Sequence, residues 1–104
     1  GVDLAGAWAA PVVAPARGRV VFSGIMGDGA MVVVLVHDGG LVSLYAHLDA
    51  RASPPPVKAG DEVAAGQRIG TVGMTGIVTG AHLHWAAWRD GELVDPLRLL
   101  GRTP

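Results

Sequence analysis

Residues 30–47 read AMVVVLVHDGGLVSLYAH, and this stretch predicts a β-hairpin. The run of valines within Ala30–His37 is typical of a strand that is buried on both faces. Asp38–Gly40 supplies the turn residues of a tight hairpin. Leu41–His47 then returns as the partner strand, with its side chains alternating between two faces. We therefore expect a fold built on antiparallel strands.

Shorter segments on both sides of the hairpin also predict strands and turns. The further strands are Arg17–Phe22, ended by Gly24, and Ile69–Val72, His82–Trp88 and Leu93–Asp95. Other segments are predicted to be irregular (residues 1–10), extended (Pro11–Ala14), rich in turns (Val57–Gly70) or one helical turn (Pro96–Leu100). The 16 glycines and 7 prolines are too many for a helical bundle. The sequence thus predicts an all-β, mostly antiparallel fold with short strands, long loops and no long helix.

The composition fits one globular domain of 104 residues. Half of the residues are hydrophobic and 16% are charged, which argues against intrinsic disorder. The formal net charge is -1 and no Lys/Arg cluster occurs, which disfavours nucleic acid or an anionic membrane as a partner. The absence of cysteine excludes disulfides, thiolate metal ligands and a cysteine nucleophile. No stretch approaches the length of a membrane span.

The segment Ala81–Trp85 carries two histidines with the spacing of one strand face. Because side chains alternate along a strand, His82 and His84 point the same way and could share a metal or divide its chemistry. Such a pair by itself is also common as ordinary polar surface. His47 ends another predicted strand, and Asp3 lies among small and apolar residues. Histidine and aspartate are the ligand and base types that a hydrolytic zinc site uses.

Other polar and aromatic residues have simpler interpretations. His37 ends a strand just before a turn, and we interpret it as structural. Trp85 shares the face of Leu83 and is assigned to the core, whereas Trp88 shares the face of the histidines. Trp88 therefore either lines a groove or packs in the core or at an edge.

Several ordered motifs make the histidine pattern more specific. They are GVDLA at the start, PVVAPARGRV, LYAHL, VKAGDEVAAGQRIG, TGAHLHW and a late VDP. In this order, from Gly1 to about Leu100, the chain resembles the LytM/lysostaphin-type metallopeptidases. The resemblance implies the duplicated hybrid motif fold and one bound Zn²⁺. It also implies that Asp3 and His84 are zinc ligands, with His47 and His82 as the non-ligand catalytic histidines.

The chain departs from the family pattern at its start. The family has a histidine four positions before the aspartate, which falls two residues before Gly1. Since a catalytic zinc has three protein ligands, we expect the third ligand upstream of Gly1. Residues 1–104 would then be a single LytM-like peptidase domain that lacks its N-terminal edge. Trimming is favoured over a degenerate site because Asp3 and the three other motif residues are present. We expect this chain alone to bind zinc poorly and to cleave little.

The resemblance implies a function at the bacterial cell wall. The main hypothesis is a zinc endopeptidase that hydrolyses peptide bonds of peptidoglycan, in the stem peptide or cross-bridge. The alternative is an inactive LytM-like module that binds the wall or activates a separate cell-wall amidase. A third, weaker hypothesis is a purely structural domain. Peptidoglycan peptides are the expected partners, with an amidase in the alternative, and the expected location is the envelope, periplasmic or secreted.

Overall fold

The computed structural model describes residues 2–5, 9–76 and 82–95, with the backbone alone for residues 2–5, 82 and 83. Strands and one short 3₁₀ turn, Asp38–Gly40, make up the regular structure of this part. The strands are β1 (Val2–Ala5), β2 (Pro11–Val13), β3 (Gly18–Ile25), β4 (Met31–His37), β5 (Leu41–Leu48), β6 (Glu62–Val63), β7 (Arg68–Thr71), β8 (His82–Arg89) and β9 (Glu92–Val94). The predicted all-β class is confirmed.

The strands form a large and a small antiparallel sheet. The large sheet has the order β1-β8-β5-β4-β3-β6, and β9 pairs with the far end of β8. The small sheet contains β2 and β7. An isolated bridge between Leu48 and Val72 joins the end of β5 to the residue after β7. The chain therefore brings β8, β5 and β4 to the middle of the large sheet.

The hairpin β4–β5 forms as the sequence predicted. Its strands pair from Val36 opposite Val42 to Met31 opposite Leu48, with a bulge between Met31 and Val33. Along β5 the alternation is also confirmed, because Ser43 and Tyr45 are buried in the core while Leu44 is half-buried on the opposite face.

The two faces of the large sheet have different partners. One face packs against the small sheet and the loops around it, with a core of Val12, Ala14, Val20, Val33, Leu35, Tyr45, Leu48, Val57, Val63, Ile69, Val72 and Trp85. The other face carries a second apolar cluster of Ala30, Val32 and Ala46, with Val34 and Leu44 packed against it. Trp85 lies in the main core, as predicted.

Several local predictions were wrong. Residues 2–5, expected to be irregular, form β1, because its backbone pairs with β8. Strand β3 does not end at Gly24 but continues to Ile25, since Gly24 pairs with Val32 and the ladder outweighs the weak strand preference of glycine. The turn-rich segment contains the short strand β6. The predicted helical turn at residues 96–100 lies outside the described residues.

Strand β4 is less buried than its sequence predicted. Val32, Val33 and Leu35 are buried, but Val36 is 39% exposed. The reason is the limited extent of the second apolar cluster, which covers one end of the strand only.

None of the helices in the described residues could span a membrane.

Candidate functional site

His84 occupies the middle of the large sheet, between two neighbouring strands. On one side its Cα pairs with Ala46 of β5, and on the other side with Asp3 of β1. His82, two residues earlier, pairs with Ala5. The register thus brings the backbone of Asp3 beside His84, although 80 intervening residues separate them in the chain. The side chains of Asp3 and His82 lie outside the described part.

His47 follows Ala46 and lies beside His84. The centroids of the two imidazole rings are 6.4 Å apart, and the ring planes are inclined by 67°. His47 has a φ of 66°, in the left-handed region that side chains with a Cβ rarely adopt. This backbone bend turns the end of β5, where the amide of Gly73 donates to the His47 carbonyl at 3.1 Å.

A hydrogen bond to a carbonyl oxygen defines the tautomer of His47. Its Nδ1 lies 2.7 Å from the carbonyl oxygen of Thr75. A carbonyl oxygen can only accept a hydrogen bond, so Nδ1 carries the proton. In the neutral ring, Nε2 is therefore the nitrogen that can accept a proton.

An open cavity of about 600 Å³ extends from the two histidines across the second face of the sheet. Its floor consists of small and aliphatic side chains, and its rim carries Met26, Asp28, Trp88 and Leu93. The residues that line it are Met26, Gly27, Asp28, Ala30, Val32, Leu44, Ala46, His47, His84, Ala86, Trp88 and Leu93. The cavity is thus an apolar groove with imidazoles at one end, a shape that suits an extended chain of small residues.

Asp28 helps to form the rim next to β4. Its carboxylate accepts a hydrogen bond of 3.0 Å from the Ala30 amide, and the Gly29 amide donates to the Met26 carbonyl at 2.9 Å. Gly29 has a φ of 89°, which suits glycine at this turn. The rim beside the histidines is therefore a tight turn held by its own hydrogen bonds.

No group of three histidine, aspartate or glutamate side chains suited to a metal occurs among the side chains that the structure describes. That set includes His47 and His84, whereas the other two predicted residues, Asp3 and His82, are described by their backbones alone. The assignment of the four residues to metal binding and catalysis stays a prediction.

Two features of the site escaped the sequence reasoning. Ala86 lies two residues after His84, so strand parity could have placed it on the same face as the histidine. The hydrogen bond between His47 and Thr75 gave no such signal, because 28 residues separate the two along the chain. Trp88 is half-buried and lines the groove. This is one of the two placements that the sequence allowed for a residue on the same face of the strand as the histidines.

His37 belongs to the opposite face and to a different network. It is buried, and its Nδ1 lies 2.9 Å from the Arg17 carbonyl while its Nε2 lies 2.7 Å from Ser43 Oγ. The Tyr45 hydroxyl donates to the same Ser43 oxygen at 2.9 Å. Burial raises the pKa of Tyr45 to about 12. This network lies within the core, in agreement with the structural role predicted for His37.

Comparison with known proteins gives a family match and close relatives. A model of peptidase family M23 matches residues 1–96. The DD-carboxypeptidase/endopeptidase Mpg of Neisseria meningitidis serogroup B is 38% identical over 104 residues, all of this chain and 23% of that protein. The murein hydrolase activator NlpD of Escherichia coli is 37% identical over 102 residues, 96% of this chain and 25% of that protein. The chain thus spans about a quarter of the length of these curated relatives.

Solved structures show the same fold. A zinc-containing peptidase from Vibrio cholerae has a TM-score of 0.83 and 30% identity, covering 99% of this chain and 30% of that one. The catalytic domain of the antimicrobial peptidase lysostaphin from Staphylococcus simulans also has a TM-score of 0.83, with 32% identity, covering 98% of this chain and 78% of that one.

Proposed function

Because the chain belongs to peptidase family M23, we propose that it is a zinc-dependent endopeptidase that hydrolyses peptide bonds of bacterial peptidoglycan, in the stem peptide or the cross-bridge. The membership confirms the lysostaphin-type resemblance of the sequence motifs. The observation that carries the proposal is the pair of imidazoles, His47 and His84, with ring centroids 6.4 Å apart at one end of an apolar groove.

We assign Asp3 and His84 as two of the protein ligands of the zinc. Residues paired across an antiparallel ladder share one face of the sheet, and Asp3 pairs with His84. An imidazole nitrogen and a carboxylate oxygen are both ligands that zinc accepts. The donor types at this register position therefore fit the metal. The zinc-containing relative from Vibrio cholerae supports zinc as the metal.

A bound zinc would lower the pKa of a coordinated water to about 7 and polarise the scissile carbonyl. The chain's own contribution is to hold a proton carrier beside that site. His47 in its neutral form accepts a proton at Nε2, because Nδ1 already donates to the Thr75 carbonyl. We assign His82 as the second non-ligand histidine, which orients the water or stabilises the oxyanion.

The groove suits the proposed substrate. Its floor of Ala30, Ala46 and Ala86 leaves room for a peptide backbone to approach the sheet closely. Its rim is largely apolar, so it would hold small, uncharged side chains. A wall substrate also requires that the protein act in the envelope, in the periplasm or outside the cell.

A second candidate function is activation of a cell-wall amidase without cleavage. The similarity to the murein hydrolase activator NlpD favours it. In that case the groove would serve as a contact surface, and its histidines would not need to carry a metal. The two candidates differ in one measurable property, the dependence of the effect on zinc and on His82.

The test uses purified protein that contains this chain, loaded with Zn²⁺, on peptidoglycan from which soluble products are separated by liquid chromatography and mass spectrometry. We expect new peptide ends that depend on zinc and disappear on treatment with a chelator. His82→Ala should abolish cleavage with little change in the unfolding temperature. Arg51→Ala, in an exposed loop outside the groove, serves as the control variant.

The same samples are assayed with a cell-wall amidase added. Stimulation that persists in His82→Ala, with no cleavage by the parent protein, would establish the activator and exclude the endopeptidase. Full cleavage by His82→Ala would show that the catalytic assignment of His82 is wrong.

A further inference from the structure

We propose that Thr75 is a positioning residue, which fixes the ring of His47 in the Nδ1–H tautomer required for proton transfer at Nε2. This inference rests on the proposed function, in which His47 is catalytic. Its physical basis is independent of the metal, because it concerns hydrogen bonds between His47, Thr75 and the ends of two strands.

Thr75 makes three hydrogen bonds that connect separate parts of the sheet. Its carbonyl accepts from His47 Nδ1 at 2.7 Å. Its hydroxyl donates to the Leu48 carbonyl at 2.6 Å. The same hydroxyl accepts from the Met31 amide at 2.9 Å. The residue thus joins the beginning of β4 to the end of β5 beside His47.

The hydrogen bonds of Thr75 form a closed cycle with the consecutive residues His47 and Leu48. Its side chain bonds to the Thr75 backbone, and the side chain of Thr75 bonds back to Leu48, the next residue after His47. Without the hydroxyl, only one of these two connections would remain. The hydroxyl therefore controls where the Thr75 carbonyl lies relative to the imidazole.

His47 needs this external support because its backbone conformation is unfavourable. A residue with a Cβ in the left-handed region costs on the order of 1–2 kcal/mol, and His47 has a φ of 66°. The segment after Thr75 is equally constrained, since Gly76 has a φ of 80° and a Cβ there would lie 2.9 Å from Ala30 Cβ. Both ends of the His47–Thr75 bond thus lie in conformationally restricted backbone.

The chemical consequence is a choice between two tautomers. A free neutral imidazole can carry its proton on either nitrogen, and only one form can accept a proton at Nε2. The Thr75 carbonyl selects the Nδ1–H form because it cannot donate a hydrogen bond. If the carbonyl were displaced, this selection would be lost, and the other form, in which Nε2 has lost its basic lone pair, would become more populated.

The test compares Thr75→Val with Thr75→Ser in the zinc-loaded protein. Valine keeps the shape but removes both hydroxyl bonds, whereas serine keeps the hydroxyl. Thr71→Val is the matched control, because the Thr71 hydroxyl accepts a bond from Arg68 in the small sheet, away from the groove. The readouts are the tautomer of His47, from ¹⁵N–¹H correlation spectra of its ring, and kcat and KM on a soluble wall peptide.

We expect Thr75→Val to lower kcat by roughly 10–100-fold, by analogy with the loss of a hydrogen-bond partner that orients a metal-bound histidine. KM should change little, and the ring spectrum should show a loss of the Nδ1–H form. Thr75→Ser and Thr71→Val should keep both the kcat and the tautomer of the parent. If Thr75→Val does not fold, Thr75→Ala removes the same two bonds without adding a methyl group in a new position.

The outcomes separate this inference from the proposed function. An unchanged tautomer and kcat in a folded Thr75→Val or Thr75→Ala variant would overturn the positioning role. A protein that cleaves no wall peptide, but whose His47 tautomer changes in Thr75→Val and is restored in Thr75→Ser, would support the positioning role and overturn the endopeptidase assignment.

Discussion

His37 Nε2 lies 2.7 Å from Ser43 Oγ, within the core behind the hairpin. Because Nδ1 of the same ring donates to the Arg17 carbonyl, Nε2 of the neutral ring is an acceptor. The Ser43 hydroxyl therefore donates to His37 and accepts from the Tyr45 hydroxyl. All donors in this buried chain point in one direction, from Tyr45 to the Arg17 carbonyl.

Ser43→Ala should destabilise the fold by about 1–3 kcal/mol, because it leaves two buried polar groups without their partner. Urea unfolding followed by circular dichroism measures the change. Ser23→Ala on β3, where the serine is only half-buried, provides the control and should have a smaller effect. Equal unfolding midpoints for the two variants would contradict the importance of the network.

Tyr45 should make stability depend on alkaline pH. Its pKa rises from about 10 in the unfolded chain to about 12 in the fold, so the folded state favours the neutral phenol. The associated stability, about 2–3 kcal/mol, is present below pH 10 and is lost as the pH rises through 12.

The chain has one tyrosine, so phenolate absorbance reports this group alone. In the native protein we expect that absorbance to appear near pH 12, together with unfolding. Tyr45→Phe should remove this part of the pH dependence of the unfolding free energy. Titration of the native phenol near pH 10 would mean that the hydroxyl is accessible to solvent.

Gly18→Ala should destabilise the chain for steric reasons. A Cβ at this position would lie 2.7 Å from the Val36 carbonyl oxygen and 2.8 Å from His37 Nδ1. We expect a loss of about 1–3 kcal/mol, visible as a lower unfolding temperature in calorimetry. Gly27→Ala is the matched control, since nothing lies within 4 Å of its Cβ, and it should change stability by less than about 0.5 kcal/mol. A reversed order of the two variants would be inconsistent with this packing.

Leu93→Ala should weaken substrate binding while leaving the fold intact. Leu93 lines the groove and is 60% exposed, so its removal costs little core packing. The loss of about 1 kcal/mol of apolar contact with a bound peptide corresponds to a KM roughly fivefold higher. Val13→Ala, at a 46% exposed position on the small sheet, should leave KM unchanged. Steady-state kinetics on a soluble wall peptide would reveal whether Leu93 is part of the binding surface.

The sequence predicted features that depend on local patterns. The β4–β5 hairpin and the histidine strand follow from the period of two and from the turn at Asp38–Gly40, and the structure contains both. Strand β1 could not be found this way, because its partner β8 lies about 80 residues later and short segments of small residues carry little strand signal.

The geometry of the candidate site depends even more on distant contacts. Histidine spacing indicated a shared face on β8, but it did not predict the left-handed backbone of His47 or the bond from its ring to Thr75. Both arise where the end of β5 meets a loop that follows β7. Such junctions are set by tertiary packing, which local periodicity does not encode.

The left-handed backbone of His47 implies a conflict at this position between folding stability and the proposed proton transfer. If folding were the only requirement, glycine or asparagine would suit a φ of 66° better than histidine does. Substitutions chosen to raise thermal tolerance would therefore tend to replace this imidazole. A variant designed for thermal stability should therefore gain that stability at other positions and keep His47.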